Sequence, residues 1–252
     1  MHDLYRYTFD DLDLDTKVIL DAAIGAAEST LEWAKQIEAT GGTSRIIGVD
    51  IDPDHKMVKE NLGEWLKYVA LRTADIFHLD TIDDNSIDIV NCNDTVVFLS
   101  AQPPGLVAAF REFHRVLKQG GTLIITSENP VTDLDNPDNV GQWHRWNFAK
   151  AVCALQGKVW SLEPAREEVE NLLRSVDFTV TGAQSFPGAK TLHCSGTINE
   201  WREIMIREID SAPWSRQLTQ ALLREVDDIH LKVSTDQFLM CPELFVVKSL
   251  KK

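Results

Sequence analysis

Three acids in the first third of the chain stand at the ends of short apolar runs, where a carboxylate can reach a ligand while its strand stays buried. Asp21 closes Val18-Ile19-Leu20, Asp50 closes Ile46-Ile47-Gly48-Val49, and Asp75 follows the stretch from Tyr68 to Ala74. Between Asp21 and Glu28-Ser29-Thr30 lies Ala22-Ala23-Ile24-Gly25-Ala26-Ala27, a turn of small residues with room for a ligand beside it. A helix opening at about Glu28 would present its first, unpaired N–H groups to a polar ligand. The Asp50 carboxylate suits the vicinal hydroxyls of a ribose, so the two stretches together describe a nucleoside site. A fourth run, Ile87-Asp88-Ile89-Val90-Asn91-Cys92-Asn93-Asp94, delivers Asn93 and Asp94 to the same C-terminal strand edge, where open α/β sheets gather their ligands.

Strand, small-residue turn, helix, then a strand ending in an acid is common to dinucleotide dehydrogenases and to methyltransferases that use S-adenosylmethionine. A dinucleotide fingerprint wants three glycines, whereas only Gly25 stands beside Ala23 and Ala27, and Glu28 would repel a pyrophosphate. The turn resembles motif I of the class I S-adenosylmethionine-dependent methyltransferases, an acid followed by three alternating glycines. Asp21 and Gly25 match; Ala23 and Ala27 depart, each adding a methyl group. The stretch from Phe110 to Ile125, with Gln119-Gly120-Gly121 at its centre, resembles the family's helix, glycine turn and fifth strand, with Gln119 in place of the usual proline. The resemblance runs from about Lys17 to Ser127.

The resemblance implies an α/β fold: a doubly wound, mostly parallel seven-stranded sheet of the Rossmann-like methyltransferase kind, here with helical cap insertions. It implies S-adenosyl-L-methionine as cofactor. In the family the first acid, here Asp21, helps hold the methionine amine, Asp50 binds the ribose hydroxyls and Asp75 meets the adenine amine. Ile51 and Ile76 would sandwich the adenine, and backbone at Ala22, Ala23, Gly25 and Asn93 would surround the methionine end. Methyl transfer from a sulfonium is an in-line displacement that needs positioning, desolvation and, for some acceptors, a base, and it requires no metal. The candidate bases are Asp94, His144, His193 and Tyr7; no spacing singles one out, and each histidine also reads as an ordinary hydrogen-bonded residue of the cap or surface. The expected acceptor is a small molecule methylated at nitrogen, oxygen or sulfur. The alternatives are a protein side chain as acceptor, or a cofactor-binding protein without transfer activity.

Composition agrees with a single globular enzyme domain. The chain has 252 residues, 44% hydrophobic, and a formal net charge of −14, which disfavours a nucleic-acid partner. Asn91-Cys92-Asn93-Asp94-Thr95 also lacks the asparagine-proline-proline-aromatic signature of base-amine methyltransferases. Four widely separated cysteines argue against a zinc knot or disulfide framework and fit a reducing cytoplasm, and no run is long and apolar enough to span a bilayer. The composition leaves oligomeric state open.

The expected core covers about 17–128, 161–185 and 239–252, preceded by an acidic, aromatic arm or lid at 1–16. Insertions at about 129–160 and 186–238 hold Trp143, Trp146, Trp160, Trp201 and Trp214 of the chain's seven tryptophans and read as a substrate cap. Periodicity predicts helices over Pro53–Leu66, Leu106–Leu117, Trp143–Leu155 and Ser161–Val176, and strands at Thr122–Ile125, Phe178–Thr181 and Leu244–Lys248. Thr197-x-x-Glu200 reads as a capping box, and Ser211-x-Pro213 as the opening of a further helix. By the resemblance, the last strand inserts antiparallel between its neighbours.

Overall fold

The computed structural model describes residues 2–252 except 54, 102–103, 136, 160–161, 189, 193–194, 236–237 and 241, with backbone alone at 2, 55, 137–139, 142, 190–192, 195–197, 235 and 238–240. Helix α1 (His2–Phe9) leads into β1 (Val18–Ala22), α2 (Glu28–Ala39), β2 (Arg45–Asp50), α3 (His55–Leu62) and β3 (Val69–Thr73). The chain then returns through β4 (Ile87–Asn93), a single turn α4 (Val96–Leu99), α5 (Gly105–Val116) and β5 (Leu117–Glu128). After α6 (Pro137–Leu155) come α7 (Arg166–Ser175), β6 (Phe178–Phe186), β7 (Lys190–Leu192), α8 (Ser195–Ser211), α9 (Arg216–Thr235), β8 (Phe238–Met240) and β9 (Leu244–Lys251).

Seven strands form one sheet in the order β3-β2-β1-β4-β5-β9-β6. The first five run parallel, and β9 lies antiparallel between β5 and β6, as the resemblance implies. Apolar runs such as Val18-Ile19-Leu20 belong in such a sheet because both of its faces are covered. Successive residues alternate sides. Ile19, Ile46, Ile89 and Ile124 pack with Trp33 and Ile37 of α2, while Leu20, Val90, Leu123 and Ile125 pack with Phe110 and Phe113 of α5 and Leu173 of α7. The chain winds outward from β1 to β3, then resumes at β4 on the other side of β1. The C-terminal ends of β1 and β4 therefore flank the switch point where a crevice must open.

Several elements differ from the sequence expectation. Residues 1–16, expected as an arm or lid, contain a packed helix: Leu4 and Thr8 are buried, and Phe9 meets Trp33 edge-on at 4.9 Å between centroids. Tyr5, Tyr7 and Phe9 alternate in sequence, but Leu4, Tyr5, Thr8 and Phe9 recur at helical spacing, and that stripe faces the sheet. The helix expected over Pro53–Leu66 stops at Leu62, because Gly63 has φ +50°, and continues as a 3-10 segment (Gly63–Tyr68). Helix α7 opens at Arg166, where the Glu168 carboxylate accepts the Ala165 N–H at 2.8 Å. Helix α8 already begins at Ser195, so Thr197 is not its cap; α9 is capped by Ser215, whose Oγ accepts the Leu218 N–H at 3.3 Å, and not by Ser211. Strand β5 starts at Leu117, with its register against β4 shifting between Ile87 and Ile89. The β7–β8 pair has no counterpart in the sequence reading.

The contacts divide the chain into two units: 1–129, 162–186 and 244–252, which hold the seven-stranded sheet, and 130–161 with 187–243. The second has its own core, in which Val152 of α6 packs with Trp201, Met205 and Ile209 of α8 and Val226 and Ile229 of α9. Among the described residues no helix is long and apolar enough to cross a membrane.

Candidate active site

The turn after β1 is built from left-handed backbone. Ala23, Gly25 and Ala27 have φ of 61°, 49° and 65°, so the three positions of the alternating-glycine pattern all adopt the conformation that glycine adopts freely. A side chain in that region costs about 1–2 kcal/mol, and this chain bears it twice. The excursion seats Ile24, whose N–H donates to Val49 O at 2.8 Å and whose side chain packs with Val58 and Leu62 of α3. Gly48 makes room: a Cβ there would collide with Ile24 Cδ1. The Ala27 N–H returns to Ile24 O at 2.8 Å and closes the turn, and no side chain caps the start of α2. Space beside Gly25 is open, with nothing within 4 Å of where its Cβ would stand.

Asp50, half-buried at the end of β2, leans over this turn. Its Oδ2 accepts the Gly25 N–H at 3.0 Å and its Oδ1 accepts the Asp52 N–H at 3.3 Å. Ile51 beside it is 71% exposed, an unusual position for a large aliphatic side chain. The Ala74 N–H donates to Asp50 O at 2.9 Å, tying the exit of β3 to the end of β2. Asp75 follows, its Oδ1 accepting the Phe77 N–H at 2.9 Å, and Ile76 is buried in the main core. These residues share one edge of the sheet.

Asp21 lies below the turn, 2% exposed. Its Oδ2 accepts from the Thr30 hydroxyl of α2, and its Oδ1 accepts from Asn91 Nδ2 of β4 at 2.7 Å. Burial raises its pKa to about 6, against the pull of its bonds to Thr30, Asn91 and Ser29. Neighbouring Cys92 is fully buried, and burial with the Asp21 charge pushes its thiol up to about 12. Beyond it, Asn93 is half-buried and Asp94 turns outward through left-handed backbone, φ 51°, with its N–H on Thr126 O at 2.7 Å. The Asp94 side chain meets solvent, yet the protein around the strand end raises its pKa to about 6.

Tyr7 lies on a face of the sheet, its ring under Lys248 Nζ at 4.7 Å and its hydroxyl against Gly182 of β6, three strands or about 14 Å across the sheet from β4. His144 is on α6 of the other unit, against Trp143 at 5.3 Å, and His193 lies outside the described residues. Two residues to which the sequence reading gave no role join the site, Asn91 and Thr30. Asn91 carried a signal, an amide following the apolar pair Ile89-Val90 within a core strand; Thr30 carried none, because a threonine near a helix start is commonplace.

Comparison with known proteins agrees with this geometry. The family model for a methyltransferase domain matches residues 20–125. A demethylmenaquinone methyltransferase of Staphylococcus saprophyticus is 26% identical over 184 residues, covering 67% of this chain and 73% of that protein. Another of the same name, from Staphylococcus epidermidis, is 31% identical over 174 residues, and the match covers 69% of this chain but only 63% of that protein. Among solved structures, SAM-dependent methyltransferases from Methanosarcina mazei superimpose with a TM-score of 0.59 over 98% of either chain at 14% identity, a likeness of fold. The domain match spans the strands that carry Asp21, Asp50 and Asn91 on a sheet wound as in that solved structure, and both agree with the class I S-adenosylmethionine-dependent methyltransferases.

Proposed function

We propose that the protein transfers the methyl group of S-adenosylmethionine to an apolar small molecule at the C-terminal edge of β1 and β4. The observation that carries this reading is the Asp50 carboxylate fixed on the Gly25 N–H, beside open space over the left-handed turn. The residues fit the cofactor: Asp50 takes the ribose hydroxyls, the exposed Ile51 and the buried Ile76 flank the adenine, and Asp75 meets its amine. The backbone of Ala22, Ala23, Gly25 and Asn93 surrounds the methionine end. When bound, the cofactor supplies a methyl carbon activated by a sulfonium. The chain supplies orientation, exclusion of water and, at Asp94, a carboxylate that accepts the acceptor's proton. With a pKa of about 6, Asp94 is ionised at neutral pH and still basic enough for that step.

Two features favour an apolar small acceptor. Phe98 of α4 and Leu162 are 54% and 51% exposed; Phe98 stands on the segment that follows Asp94, and the Leu162 N–H donates to Val97 O of that segment at 3.0 Å. The relatives are named for demethylmenaquinone, a small molecule. The second unit, 130–161 with 187–243, governs the choice of acceptor, and the free cysteines Cys92 and Cys153 suit a reducing cytoplasm. Calorimetry with S-adenosylhomocysteine tests the cofactor assignment. Asp50→Ala removes a carboxylate bonded to two hydroxyls and is expected to raise Kd at least tenfold, since one bond to a charged group contributes about 1.5–3 kcal/mol. An unchanged Kd in the folded variant removes the reading's main support.

A further inference from the structure

Asp21 is the residue whose position departs most from the role that the resemblance implies for it. Both of its oxygens are engaged, one by the Thr30 hydroxyl and one by Asn91 Nδ2 at 2.7 Å, and its side chain is almost without solvent contact. Asn91 is directly opposite it in the β1–β4 ladder and is itself 2% exposed, with Ser29 Oγ 3.4 Å from its Nδ2. The groups that offset the burial of the charge are the neutral side chains of Thr30, Asn91 and Ser29. A buried carboxylate held by neutral donors adds little stability over apolar side chains of the same volume. What it adds is geometry, because its donors come from β4 and from the first turn of α2.

Asp21 and Thr30 bracket the turn 22–27. With those ends tied, the turn cannot relax its two left-handed alanines by letting α2 slide. We propose that Asp21 is a positioning residue: with Thr30 and Asn91 it staples the ends of the cofactor turn and holds its backbone ready to bind, without touching the cofactor. The proposal rests on the cofactor reading above and assigns Asp21 a different part in it. In a chain with glycine at 23 and 27 the turn would be at rest in this shape; here the staple maintains it.

Three variants test the idea, with S-adenosylhomocysteine titrated by calorimetry and amide hydrogen exchange followed in the ligand-free protein. Thr30→Val keeps shape and removes the donor; it is expected to raise Kd about tenfold or more and to speed exchange at the Ile24 and Ala27 amides. Thr30→Ser restores the hydroxyl and is expected to return both quantities to wild type. Asp21→Asn removes the charge but keeps a bond to each neighbour, since the Thr30 hydroxyl can turn to accept; Kd is expected within about threefold of wild type. If Asp21→Asn abolishes binding while Thr30→Val binds normally, the charge acts on the cofactor and the staple is refuted. A lower melting temperature in Thr30→Val with unchanged Kd and exchange likewise refutes it, leaving a merely structural bond. A wild-type protein that binds no S-adenosylhomocysteine overturns the cofactor reading and this role with it, a result distinct from either of the others.

Discussion

Replacing Ala23 by glycine is expected to stabilise this protein, although it deletes a side chain. Ala23 has φ 61°, and relief of a left-handed alanine is worth about 1–2 kcal/mol. Against this stands the extra freedom that glycine gives the unfolded chain, about 0.4–1 kcal/mol. The half-buried methyl of Ala23 contributes little packing, so the net gain is about 0.8 kcal/mol. In a chain of this size that raises the melting temperature by about 2–3 °C. Ala27 supplies an internal control. Its φ is 65°, but its methyl is fully buried among Ile24, Val58 and Leu62. Losing a buried methyl costs about 0.8 kcal/mol, which cancels the backbone gain and leaves Ala27→Gly near wild type. Thermal melts of both variants, with urea titrations to show an unchanged m-value, make the comparison. A fall in stability for Ala23→Gly, or an equal gain in both, would refute the accounting of strain in this turn.

Other consequences can be measured with the same protein. Gly48→Ala forces a Cβ onto Ile24 Cδ1 and should lower stability by about 1–3 kcal/mol, with cofactor affinity falling as Ile24 shifts; a neutral melt contradicts the close packing described. Asp94→Asn should lower kcat while leaving the Kd for S-adenosylhomocysteine within about twofold, and the wild-type rate should fall as pH drops through about 6. An undiminished kcat removes Asp94 as the base. Asp21 and Asp94 both bind their protons more tightly folded than unfolded, from 3.8 to about 6, so their stabilising contribution is full below about pH 4 and lost as pH rises through 6. Stability of Asp21→Asn relative to wild type should therefore improve between pH 4 and pH 7, and a flat difference speaks against a buried, ionising Asp21.

The parallel half of the sheet was legible because its strands are short apolar runs ended by acids and separated by helical stripes, a pattern that burial on both faces imposes. The antiparallel insertion of β9 came from the resemblance alone, since nothing in Leu244-Phe245-Val246-Val247 specifies which neighbours it joins. Helix starts were less legible. Thr197 and Ser211 look like caps, yet the α8 backbone is helical before Thr197 and Ser215 caps α9, because short-range capping yields to where packing needs the helix to begin.

The site divides along the same line between local and long-range determinants. Asp50, Ile51 and Gly25 could be placed from the sequence because each occupies a strand end or a turn, where position along the chain determines position in space. The partner of Asp21 could not, since Thr30 and Asn91 reach it from α2 and from the neighbouring strand. A carboxylate at the end of an apolar run looks the same in sequence whether it points outward to a ligand or inward to a neighbour. What distinguishes the two is the polar residue across the ladder: Asn91 stands opposite Asp21, and a buried amide in a core strand has to bond something. Reading the two strands as a pair would have turned Asp21 inward, and with it would have moved the acid from the cofactor to the backbone that holds it.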